Sequence, residues 1–188
     1  LEETDTGFAL GEAHAIMAYL CQKQGWTDLY PDDLQARGRV DWYLNFHHRN
    51  IRDASSGMVA PKIRKDLDIP QHDQDRAVRI FTAGLRTLED RPLANGRYIA
   101  GDNLTIADLS AYAEIGQLQP QFTNLFDYGP YPNVQRWLTD MQQVSCHDAA
   151  HVVLAEIGDI SKEAPSMDTI RSANINAIGT IKEAIERF

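Results

Sequence analysis

Cysteine is scarce in this chain: Cys21 and Cys146 are 2 of 188 residues. They lie too far apart in sequence for the density of a disulfide-stapled fold or the paired spacing of a zinc site, so the expected setting is a reducing, intracellular one, the cytosol or an organelle. Long apolar runs are missing as well. Nothing approaches the roughly 18 residues of a membrane helix, and Leu1-Glu2-Glu3-Thr4-Asp5 has neither the basic start nor the apolar centre of a signal peptide, so membrane insertion is not expected. Basic residues are outnumbered, 18 Lys and Arg against 27 Asp and Glu for a net charge of −9. Such a balance repels phosphate backbones and anionic lipid, no local basic patch overrides it, and nucleic acid is therefore not an expected partner. Gly-rich phosphate loops, nucleophile elbows, paired-carboxylate signals, internal repeats and low-complexity tracts are equally lacking. What is present is an ordinary globular composition, 43% apolar and 24% charged, in a chain long enough for one ample domain or two small ones.

The chain opens at Leu1 without an initiator Met, which is read as a piece of something longer. Leu1 to Glu3 and Phe8 to Leu10 flank Thr4-Asp5-Thr6-Gly7, whose Asp and Gly favour a tight turn, so a short β-hairpin is expected. A lone hairpin is marginal in water, and the strands that should accompany it are not found downstream. The remainder reads as helix. An apolar stripe of Ala15, Ile16, Met17, Tyr19 and Leu20 lies on a helix from about Glu12 to Gly25. Pro31, Asp32 and Asp33 open a second helix, with Val40, Leu44, His47 and Ile51 on one face. A third begins near Asp73 or Gln74, places Val78, Phe81, Leu85 and Leu88 inward and ends at Pro92. A fourth starts at Thr105 with Ile106, Leu109 and Ala113 inward, and a fifth follows Pro132 with Val134, Trp137, Leu138 and Met141 inward. Val152, Val153 and Ile157 suggest a sixth. Ser166 can cap a last one, whose apolar face of Ile170, Ile178, Ile181, Ile185 and Phe188 must be buried against its own domain or another chain.

Three constellations carry local chemistry. Thr105 and Asp108 form a reciprocal cap, the hydroxyl accepting from the N–H of Asp108 while the carboxylate accepts from the N–H of Thr105; its expected role is structural. Asp41, Asn45, His48 and Arg52, at steps of four, three and four, draw a polar stripe up one side of the second helix, a pattern that a solvated face satisfies without a ligand. His47 falls on the apolar side and reads as a packed core residue. His147 and His151 stand at i and i+4 around Asp148, a spacing that can share zinc, but no third ligand is evident and no metal is expected.

Gly101-Asp102-Asn103-Leu104-Thr105-Ile106-Ala107-Asp108-Leu109-Ser110 resembles the capping-box segment in the helical domain of cytosolic glutathione transferases. Gly7-Phe8-Ala9-Leu10-Gly11-Glu12-Ala13-His14-Ala15-Ile16-Met17-Ala18-Tyr19-Leu20 resembles the last strand of their thioredoxin-like domain and the helix after it. Leu29-Tyr30-Pro31, followed by Val40-Asp41-Trp42-Tyr43-Leu44-Asn45-Phe46-His47-His48-Arg49-Asn50-Ile51-Arg52, is similar to the theta class in particular. Three segments in the right order are far more specific than any one alone.

The resemblance implies a mainly α chain, a glutathione transferase C-terminal helical bundle preceded by a partial thioredoxin-like α/β remnant. Residues 1–25 would hold the last two strands and final helix of that domain, residues 26–157 the helical domain and residues 158–188 an amphipathic helical extension. The implied co-substrate is glutathione, its thiolate attacking a small electrophile or a peroxide, with no metal. The family's activating hydroxyl, a Ser near the N-terminus in the theta class, would lie upstream of Leu1, so no catalytic residue is expected within the chain. The resemblance assigns the γ-glutamyl end of glutathione to Glu12 and Ala13 at a helix N-terminus. Ala13 stands where the family has Ser, which removes one hydroxyl contact and leaves the backbone N–H and helix dipole. Asp41, Asn45, His48 and Arg52 would line the acceptor-substrate pocket. A homodimer, or a non-catalytic subunit that keeps the fold and docks in a larger assembly, are the implied associations.

Overall fold

The computed structural model describes residues 1–187. The expected hairpin closes through a single antiparallel bridge, Glu2 to Ala9, with the N–H of Glu3 donating to the carbonyl of Phe8 at 2.9 Å. Gly7 supplies the left-handed corner of the turn at φ 70°. The two arms are too short for a longer ladder, and no named strand lies beside them among the described residues. The hairpin is fastened instead to the first helix, α1 (Ala13–Gln24): the Glu3 carboxylate accepts from Tyr19 and Lys23, and Phe8 lies 5.1 Å from the Tyr19 ring. The Lys23 and Tyr19 donors hold the Glu3 carboxyl at about 2. Gly25 ends α1 in the left-handed region at φ 69°, where a residue without Cβ is free of strain.

The helical core follows. Helix α2 (Leu34–Asn50) is capped by the Asp33 carboxylate, which accepts from the N–H groups of Gln35 and Ala36. Its expected apolar face is buried, with Val40, Leu44, His47 and Ile51 all inward. One π turn (Ser55–Val59) and a short helix α3 (Ala60–Ile63) then lead to α4 (Gln71–Asp90), which starts directly after Pro70 and so earlier than the periodicity suggested. Phe81, Leu85 and Leu88 point inward on α4 as expected, but Val78 is 41% exposed and Ala77 takes its place against the core. The reason is a close approach: a Cβ on Gly57 of the π turn would come within 2.1 Å of the Ala77 side chain, so only small residues fit that seam.

A short turn of helix α5 (Pro92–Asn95) precedes α6 (Ile106–Ile115), the central helix. Eight of its ten residues are buried, so α6 carries no simple amphipathic stripe. Leu109 is half-buried and packs against the core as expected, whereas Ala113 is exposed, which corrects the inward position expected for it. α6 packs against α2, α1 and α7 (Pro132–Met141), whose Val134, Trp137, Leu138 and Met141 are all buried. Two buried carboxylates bind these elements together. Asp108 accepts from the N–H of Thr105 at 3.0 Å, the Thr105 hydroxyl at 3.0 Å, the N–H of Ile99 at 2.8 Å and the Trp137 indole at 3.0 Å, so the expected cap also fixes a loop and a neighbouring helix. Burial pushes the Asp108 carboxyl above the usual carboxylate range despite these donors. Glu89, at the end of α4, accepts from the N–H groups of Asn133 and Val134 and thus caps α7 from another helix.

The last two helices form a separate layer. Helix α8 (His147–Ile157) has no fully buried residue, and α9 (Met167–Ile185) packs against it through Ala173 and Ala177. Ser166 caps α9 by accepting from the N–H of Thr169, as expected. Of the two expected covers for the isoleucines, the chain's own domain supplies little: Ile170 is half-buried, but Ile178, Ile181 and Ile185 are exposed, because α9 turns its two alanines to α8. Phe188 lies outside the described residues.

Candidate functional site

Glu12 sits one residue before α1 with φ 64° and ψ 118°, a backbone conformation that a non-glycine residue adopts only when its surroundings enforce it. Its side chain is exposed and makes no capping bond to the helix behind it. The helix's own hydrogen bonds begin with the N–H of Ile16 donating to the Glu12 carbonyl at 3.0 Å. The N–H groups of Ala13, His14 and Ala15 therefore precede the intrahelical ladder, and the positive end of the dipole lies there too. Ala13 is exposed. A carboxylate meeting this turn would find amide donors, and an ammonium beside it would find the Glu12 carboxylate.

His14, the next residue, turns inward. Its Nε2 lies 2.6 Å from the hydroxyl of Ser110, a buried residue of α6. The His14 ring lies 4.8 Å from that of His47 and 4.8 Å from that of His48, both on α2. Burial, then His48, draws the His14 imidazole below its ordinary value. Burial, then His14 and His48, takes His47 further, to about 4. His47 is a core residue, as expected, with Nδ1 3.2 Å from the Tyr43 hydroxyl and 3.5 Å from Ser110 Oγ.

The polar stripe on α2 is divided among different partners. Asp41 accepts from the Tyr30 hydroxyl at 2.9 Å, and Asn45 donates to the Asp41 main-chain carbonyl at 2.8 Å. The His48 side chain is exposed and reaches His14. Arg52 donates to the buried carboxylate of Glu114 on α6, which also accepts from Ser55 in the π turn and from Gln117. The structure thus brings Glu12 and Ala13 close to His48 by way of His14, while Asp41 and Arg52 are held at opposite ends of the stripe. Sequence reasoning missed His14, Ser110 and Glu114. The signal for His14 was its position in the first turn beside the proposed ligand residues; Ser110 and Glu114 gave none, because a polar residue on α6 looks solvent-facing until the helix is known to be central.

His147 and His151 stack with ring centroids 4.6 Å apart at the start of α8. Three of their four ring nitrogens have partners, Tyr112 and Asp148 for His147 and the His147 carbonyl for His151 Nδ1. Together with Leu109, Met141, Val144 and Cys146 they line a mainly apolar cavity of about 360 Å³.

The helical core matches the family model described as the C-terminal domain of glutathione S-transferases over residues 71–140. Glutathione S-transferase theta-2 of Rattus norvegicus is 31% identical over 165 residues, which cover 85% of this chain and 68% of that protein. Human glutathione transferase theta-2, solved in complex with glutathione and an unknown ligand, superposes with a TM-score of 0.71 at 25% identity, covering 93% of this chain and 76% of the other. An epsilon-class glutathione S-transferase from the housefly Musca domestica gives a TM-score of 0.63 at 27% identity, over 95% and 72% of the two chains. The chain belongs to the glutathione S-transferase family and is theta-class-like. No described helix is long and apolar enough to cross a membrane.

Proposed function

We propose that this chain carries the glutathione-anchoring end and the helical domain of a theta-like glutathione transferase. Residues 1–25 would be the end of the thioredoxin-like domain, residues 26–157 the helical domain and residues 158–188 its extension. The observation that carries this reading is the start of α1: an outward carboxylate on a left-handed backbone at Glu12, followed by three amide donors. Glu12 takes the γ-glutamyl ammonium; the N–H groups at Ala13 and His14 take the γ-glutamyl carboxylate. The reaction is attack of the glutathione thiolate on an electrophilic small molecule, forming a C–S bond as the leaving group departs or a double bond opens, or on a peroxide, breaking O–O to give an alcohol and a sulfenate that a second glutathione converts to disulfide and water; the activating hydroxyl is not among the residues of this chain. That hydroxyl donates to the sulfur anion and raises the thiolate fraction at neutral pH. Asp41, Asn45, His48 and Arg52 face the acceptor, with Arg52 oriented by Glu114.

The geometry favours His48 over Arg52 as the group nearest the tripeptide, since His48 touches His14 at the base of the same turn. Calorimetric titration with reduced glutathione tests the reading. Binding in the micromolar to low millimolar range, tightened by Ala13→Ser and lost in Glu12→Ala, supports it; a folded chain that gives no heat overturns it. A second reading, a non-catalytic subunit docked in an assembly that includes a homodimer, draws on one observation, the exposed Ile175, Ile178 and Ile185 of α9. Silence toward glutathione together with a self-associated or complexed state would favour it.

A further inference from the structure

We infer that His14 is a positioning residue for glutathione: neutral, its imidazole seats the first turn of α1 on Ser110 of α6, and its protonation unseats that turn and weakens binding of the tripeptide. The inference rests on the reading of Glu12 and Ala13 given above. Helix α1 is lightly anchored, with Cys21, in its last turn, as its one fully buried residue. In its first turn Ala13 and Ala15 are exposed, and His14 is the side chain that reaches the helical domain. The hydrogen bond between His14 Nε2 and Ser110 Oγ, at 2.6 Å, joins residues 96 apart in sequence. Met17 and Ala18 pack the middle of α1 against the core, and the His14 contact fixes the first turn, where the free amides point.

On balance the surroundings of His14 favour its uncharged form. Its Nδ1 is buried and has no hydrogen-bond partner. From α2, the His47 and His48 rings lie against it, and beyond them Arg52, paired with Glu114 of α6, makes the smallest contribution. From α6 it meets the uncharged Ser110; the main-chain carbonyl of Leu44 on α2 and the Glu12 carboxylate of its own segment favour a proton, and burial together with His48 outweighs them. Beyond this ring of groups, His47 is held by the Tyr43 hydroxyl. A proton on His14 would put a cation in a half-buried cluster of two further imidazoles and a guanidinium. The folded-state value of His14 lies below its ordinary 6.5, so the stabilisation from the neutral contact is present above pH 6.5 and is lost as the pH falls below it. Simple charge attraction makes the opposite prediction, since a cation near the turn would draw the carboxylate of glutathione more strongly at low pH. The sign of the effect separates the two.

The test is titration of the chain with reduced glutathione at pH 7.0 and 5.5, an interval in which the tripeptide keeps its carboxylates and ammonium charged. The native chain should bind several-fold more weakly at the lower pH. His14→Ala should lose about tenfold in affinity at pH 7.0, the value of one well-made hydrogen bond, and should show no pH dependence. His14→Gln, whose amide nitrogen can reach Ser110 without titrating, should bind within about threefold of the native chain at pH 7.0 and keep that affinity at pH 5.5. Ser110→Ala should behave as His14→Ala. Native affinity that is constant or rises toward pH 5.5, or a His14→Gln variant that keeps the native pH dependence, overturns the inference. If the native chain is folded and binds no glutathione at pH 7.0, the Glu12 reading fails. Amide-exchange protection in residues 16–18 then decides the role of His14: loss at pH 5.5 in the native chain and not in His14→Gln supports the seating contact, and equal protection in both removes it.

Discussion

Helices α6 and α7 on one side, and α8 with α9 on the other, are of similar composition and opposite construction. Eight of ten residues of α6 are buried, and its polar groups are fully used: Asp108 takes four donors, and Glu114 takes Arg52, Ser55 and Gln117. The outer pair has no fully buried residue in α8 and two alanines in α9, and it leaves Ile175, Ile178 and Ile185 exposed. The difference teaches where stability is concentrated. Buried polar groups with complete partners make a region intolerant of change, whereas a layer joined through small side chains can be altered, or covered by something else, at little cost to the rest.

The contrast can be broken most sharply at Asp108. Asp108→Ala leaves the indole N–H of Trp137 and the N–H groups of Ile99 and Thr105 without partners in the core, and should destabilise the chain by at least about 3 kcal/mol. Chemical denaturation followed by tryptophan fluorescence measures it; a loss under 1 kcal/mol, on the order of a solvated cap, would remove α6 from its central role. Next comes Gly84→Ala on α4. An added Cβ would lie 2.4 Å from the main-chain carbonyl of Asn50, so α2 and α4 must part, at about 1 to 3 kcal/mol. Removing the Glu89 cap from α7 by Glu89→Ala should cost about 1 to 3 kcal/mol, because the N–H groups of Asn133 and Val134 then lose their acceptor. The pH dependence is smaller and more local. With His47 at about 4 and His14 also below the ordinary 6.5, stability should be level above pH 6.5 and decline toward pH 4. Denaturation midpoints taken across that range check it, and a curve that rises toward acid would contradict the neutral cluster. The smallest effect belongs to the outer layer: Ile178→Gln should move stability by no more than about 0.5 kcal/mol, and a large loss would mean that α9 is covered after all.

Much of the architecture was legible beforehand, and the reasons are specific. Asp33, Gly25 and Ser166 announced helix ends because a cap is a local event among residues three or four apart. The stripes of α2 and α7 were legible because each helix shows one face to the core. α6 was misread at Ala113 because a helix surrounded on nearly all sides has no preferred face to reveal. Val78 was misplaced because periodicity does not know that Gly57 and Ala77 bring two backbones together. The candidate site divides in the same way. Glu12 and Ala13 were found from a contiguous motif, whereas the contact of His14 with Ser110 joins two helices that are distant in sequence.

By itself, then, the sequence determined where helices begin and end, which residues cap them and which short segments are shared with the glutathione transferases, since each depends on neighbours along the chain. Only the tertiary structure decided that α6 is the axis of the bundle, that Asp108 and Glu89 serve elements other than their own, and that three imidazoles meet beneath the first turn of α1. Those facts arise from helices crossing, and the distance between two side chains across a crossing is fixed by packing, which no local pattern encodes.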